Sequence, residues 1–163
     1  MNLLTGALVA MLGGMVAGDA QPVRAFPLQG TWTLVAADKI LPGGDRTRDY
    51  GEHPKGRLVI DAEGRYSLQI FRSERLRFAS DSKPDGNAEE LKSAVMGSST
   101  HYGTVAIDER ATALVFSIEG SSFPNWEGTT QRRQYRLDGA ELQYEVPPRA
   151  DGSIPVSVWR RLD

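Results

Sequence analysis

The chain holds two histidines, His53 and His101, and no cysteine. A disulfide framework, a thiolate zinc site and a cysteine nucleophile are therefore excluded. No metal-ligand spacing surrounds either histidine, so neither a metal nor another cofactor is expected. His53 precedes Pro54 and reads as a loop residue. His101 shares an alternating face with Gly103, Val105 and Ile107, so it points to the apolar side of a strand. An imidazole there either meets a ligand oxygen or serves as a general base; the plainer reading is a histidine bonded within the wall of the sheet. Arg72 and Arg133 suit a ligand carboxylate or enolate, or else a neighbouring surface acid. Gln131 shares the face of Arg133 and Tyr135, and Ile70 shares that of Arg72. Tyr66 and Tyr144 suit a core hydroxyl that finds a partner better than a catalytic acid. Trp126, stiffened by Phe123 and Pro124, either folds over a ligand or packs on an outer wall.

Several chemistries lack their residues. There is no G-x-S-x-G elbow, phosphate-binding loop or dinucleotide fingerprint. Glu119 and Glu127 alone do not define a glycosidase pair. A net charge of -2 gives no general attraction to nucleic acid or anionic membranes. The basic run Arg132–Arg136 is split between two strand faces, which makes it a poor nucleic-acid groove.

These residues need strands to position them. Period-two patterning gives eight, near 29–37, 56–61, 64–72, 99–107, 112–119, 129–137, 140–146 and 155–161. A short helix is expected over 87–96, capped by Asn87, with Leu91, Val95 and Met96 as its stripe. Tight turns at 61–64, 108–111 and Asp138-Gly139 alternate with longer connections at 38–55, 73–98, 120–128 and 147–154. In an up-and-down sheet this places every tight turn at one end and every long loop at the other. Eight strands suit a closed barrel that holds one small ligand. The fold class is therefore all-β, an eight-stranded antiparallel up-and-down barrel with one short helix.

Residues 3–17 are apolar and small, and A-x-A-like positions follow. Residues 1–25 are read as a secretory signal and 26–163 as the barrel domain, in a periplasmic or secreted protein with no stable membrane span after cleavage.

Gly30-Thr31-Trp32 opens the first strand and Trp159-Arg160-Arg161 ends the last. With Tyr50–Gly56, Gly64–Arg72, Ser98–Thr104 and Ser122–Gly128, they make the chain resemble the lipocalin-like domain family, calycin-type small β-barrel proteins of bacteria and fungi. The resemblance implies a closed barrel end where Trp32 packs against an arginine of the last strand. Alternation with Val156 and Val158 assigns that arginine as Arg160. The alternation of tight turns and long loops gives this barrel a cup with a narrow bottom and a loop-decorated mouth. Topology then brings Tyr66, Ile70, Arg72, His101, Trp126, Gln131, Arg133 and Tyr144 to its open half. The leading expectation is an exported protein binding a small hydrophobic molecule. The alternative is an isomerase, cyclase or hydratase acting on an apolar carbonyl compound, with His101 moving a proton and Arg133 or Arg72 holding an oxyanion. A third is a structural barrel filled by its own side chains. Monomer and dimer remain equally open.

Overall fold

The computed structural model describes residues 26–162. Nine strands occur in this span: Gly30–Ile40 (β1), Arg46–Arg48 (β2), Lys55–Ile60 (β3), Arg65–Phe71 (β4), Ser98–Asp108 (β5), Ala113–Ser121 (β6), Thr130–Asp138 (β7), Glu141–Glu145 (β8) and Ile154–Leu162 (β9). Every pairing is antiparallel, and β1 pairs with both β3 and β9. Eight strands, β1 and β3 to β9, thus close into the expected barrel. The ninth, β2, is a spur on the mouth end of β1 and lies in a stretch expected to be loop. It also explains why β1 runs to Ile40 rather than ending near 37. Asp38 to Ile40 have ladder partners on both sides, in β2 and β9.

The two ends differ as expected. At the closed end the Asp61 carboxylate accepts from the N–H groups of Glu63 and Arg65 at 3.0 and 2.8 Å, which fastens the β3–β4 turn. Gly139 supplies a φ of 55° in the β7–β8 turn. The long connections gather at the mouth. One carries the helix Ala88–Met96 (α1). Its capping box is complete: Asn87 accepts from the N–H groups of Glu89 and Glu90, and the Glu90 carboxylate accepts from the Asn87 N–H at 2.9 Å. Leu91, Val95 and Met96 remain exposed, so the stripe expected to pack is solvent-facing.

The lower half of the barrel is solid. Trp32, Leu58, Ile60, Leu142 and Trp159 are buried there. Each contributes about 1.5–3 kcal/mol of hydrophobic stabilisation. A second cluster, Ala36, Val156 and Val158 with Ile40, is separate from this core. It exists because β1 shifts register between Leu34 and Ala36. The bulge re-aims Ala36 away from the core face. β9 therefore buries side chains on both faces: Val156 and Val158 beside Ala36, and Ser157 and Trp159 toward the interior.

That double burial corrects the reading of the closed end. Val156 and Val158 do not mark the interior face; Trp159 does. Arg161, directly opposite Trp32 in the ladder, is therefore the stacking partner, and its guanidinium carbon lies 4.2 Å from the Trp32 ring centroid. Arg161 also donates to the carbonyls of Gln29 and Pro27. Arg160, expected in this role, is exposed and stands opposite Thr33 and Glu141. Trp32 itself holds the bottom as expected, donating to the Leu28 carbonyl at 3.1 Å.

Candidate functional site

The upper half of the barrel is where the polar side chains converge. His101 on β5 and Tyr66 on β4 face inward, and the Tyr66 hydroxyl lies 2.7 Å from His101 Nδ1. On the other side of the ring, Arg133 Nη2 lies 3.2 Å from His101 Nε2. An arginine can only donate. Nε2 is therefore the acceptor, and the neutral ring carries its proton on Nδ1 and donates it to the Tyr66 oxygen. The chain of bonds runs Arg133 to His101 to Tyr66. Burial, with the Arg133 charge second, pushes the His101 pKa down to about 3. Burial pushes Tyr66 up.

Arg133 is 2% exposed. Its guanidinium carbon sits 4.2 Å from the Phe116 ring centroid and 5.2 Å from that of Tyr144. Nη2 also donates to Gln131 Oε1 at 2.9 Å. Among the described residues no carboxylate forms an ion pair with it. Burial draws its pKa below the ordinary guanidinium value. Two desolvated cation–π contacts contribute about 2 kcal/mol each. Burying an ion costs several kcal/mol. The two roughly offset, and one donor is left over: Arg133 Nε has no partner. The buried Tyr144 hydroxyl and Trp159 Nε1 are also without one.

Arg133 and Tyr144 wall a small interior void of about 40 Å³. Ile70, Ser99, Trp126, Val146 and Ser157 border both this void and a larger cavity of about 610 Å³ at the mouth. The larger volume lies within the range of about 300–1,000 Å³ usual for small-molecule sites. Its wall includes Ala37, Phe123, Val146, Pro147, Pro148 and Val156. Trp126 stands in a 3-10 turn over the mouth, edge-on to His101 with ring centroids 6.0 Å apart. It covers the opening rather than an outer wall. Tyr50 and Asp49 line the same cavity.

Tyr66, His101, Trp126, Gln131, Arg133 and Tyr144 are thus brought together, with Ile70 on the apolar wall. Arg72 is not. β4 ends at Phe71, so Arg72 leaves the strand alternation and is exposed, 5.7 Å from the Tyr50 ring centroid. Sequence reasoning missed Ser157, which faces inward once β9 is phased on Trp159. It also missed Arg149, which donates to Asp49 at 2.6 Å and ties two mouth loops together. Their separation of 100 residues leaves no local signal.

Among the described residues no helix is long and apolar enough to cross a membrane. The search of curated proteins gives no match. Among solved structures, the chain is similar to a mutant of the fluorescent protein UnaG, at 14% identity and a TM-score of 0.36, over 82% of this chain and 95% of that one. The lipocalin-like domain family matches residues 29–162. With G-x-W at the start of the closing strand, an arginine stacked on that tryptophan and an eight-stranded barrel between them, the chain belongs to the lipocalin-like domain family.

Proposed function

We propose that this protein binds a small, largely apolar molecule at the mouth of its barrel. The observation that carries this reading is the mouth cavity of about 610 Å³, lined mainly by apolar side chains with Asp38, Asp49 and Arg149 also in its wall, which shares lining residues with a smaller void bordered by His101, Arg133 and Tyr144. An apolar body would occupy the mouth beneath Trp126, with its polar end toward His101, Arg133 and Tyr144. Both cavities lie above the packed closed end, so the molecule would sit high rather than traverse the interior. The reading of His101 as a proton carrier is disfavoured: its free lone pair is already engaged by Arg133, and a pKa near 3 makes it a weak base near neutral pH.

Native mass spectrometry of protein isolated from its own host should show one small molecule per barrel. With emptied protein, the neutral dye Nile red should bind at one site and perturb tryptophan emission. Trp126→Ala should weaken that binding about tenfold. No co-purifying molecule together with no dye binding would overturn the proposal. Export to the periplasm or the exterior is part of the same reading, supported by the apolar run at residues 3–17; that segment lies outside the described residues. N-terminal sequencing of the mature protein should begin near residues 20–26, and a chain starting at Met1 would count against export.

A further inference from the structure

We propose that the ligand is an anionic amphiphile whose carboxylate, or an enolate of like geometry, enters first and docks on Arg133 and Tyr144 in the interior void. This rests on the binding function proposed above and names the class of molecule. Three observations lead to it. The buried guanidinium has no carboxylate partner among the described residues. Two residues lining the void carry unpartnered atoms: Arg133 Nε, which can only donate, and the Tyr144 hydroxyl, which lies near Arg133, Ser157 and Trp159 but meets hydrogen-bond geometry with none of them. An occupant with several lone pairs and a negative charge satisfies both; an alcohol satisfies them poorly and a cation not at all. Finally, the void is about the size of one water or one carboxylate, and its upper wall is shared with the apolar mouth. Head and tail therefore have separate, contiguous places.

His101 fits this assignment. By accepting from Nη2 it holds the guanidinium in place and leaves Nε out of the hydrogen-bond chain, and Gln131 accepts from the same nitrogen. The titratable groups around Arg133 are His101 on β5, Tyr66 on β4 and Tyr144 on β8. None of them supplies a negative charge near neutral pH.

The test compares dodecanoate with dodecanol, a pair that differs at the head alone, by calorimetry and by displacement of Nile red. Wild type should prefer dodecanoate by at least about tenfold. Arg133→Met should abolish that preference. Equal binding of both amphiphiles by wild type, or an unaltered preference in Arg133→Met, overturns the anion assignment and leaves the cavity reading intact. Failure of wild type to bind Nile red and either amphiphile overturns both. A pH titration of wild type gives a readout independent of the variant's folding. Affinity for dodecanoate should fall as its carboxyl protonates near the usual carboxyl range, about pH 4–5, while that for dodecanol stays level. A level dodecanoate profile overturns the assignment.

Discussion

Replacing Arg133 with methionine removes a buried charge and keeps most of its volume. In the empty protein this should leave stability unchanged or raise it by up to about 2 kcal/mol, measured by chemical denaturation, because ions buried without a counter-charge often cost more than an apolar substitute. His101 carries a pH signature of the opposite sense. Its folded pKa is near 3 against an ordinary 6.5, so between those values the unfolded chain binds the extra proton. The stability it contributes is complete above pH 6.5 and is lost as pH falls toward 3, at up to about 1.4 kcal/mol per pH unit. Melting curves from pH 7 to pH 4 should show this slope in wild type and a shallower one in His101→Gln. At the closed end, Arg161→Ala should cost about 1–2 kcal/mol and Arg160→Ala less than about 0.5. Parity along a strand was enough to place His101, Arg133, Tyr66 and Tyr144 on the inner face. The same parity misplaced Arg160, because β9 buries valines on its other face and hydrophobicity there carries no sign. It misplaced Arg72 because the strand ends one residue too soon.

Among the elements, β5 depends on a single backbone position. Gly103 has a φ of 155° at the register shift between β5 and β6, and a Cβ there would lie 2.0 Å from the Ser117 carbonyl oxygen. Gly103→Ala should lower stability by about 3 kcal/mol and disturb His101 two residues away, seen as loss of the Tyr66–His101 coupling in imidazole NMR spectra. The mouth loops act differently. The Asp49–Arg149 pair joins the β2–β3 and β8–β9 connections, and Lys39 also pairs with Asp49. Asp49→Asn should alter stability by less than about 1 kcal/mol, yet speed release of a bound dye in stopped-flow measurements. Turn chemistry made the strand order legible, since Asp61 to Gly64 and Asp138-Gly139 have narrow conformational meanings. Arg46–Arg48 was illegible as a strand: three polar residues become extended only because β1 offers an edge.

At the scale of the whole molecule, the hollow upper half and solid lower half divide the work of binding from that of stability. The seam between β1 and β9, nine cross-strand pairs long, closes the wall. It also joins residues that leave the ribosome at opposite ends of synthesis. Until β9 has emerged, β1 and β8 each present an open edge, and no order of local folding can cover both. The growing chain is therefore obliged to wait, exposed, for the final strand. A chain stopped before Ile154 should be made at a normal rate yet collect in the insoluble fraction, and adding a synthetic peptide of residues 154–162 during refolding should recover soluble barrel.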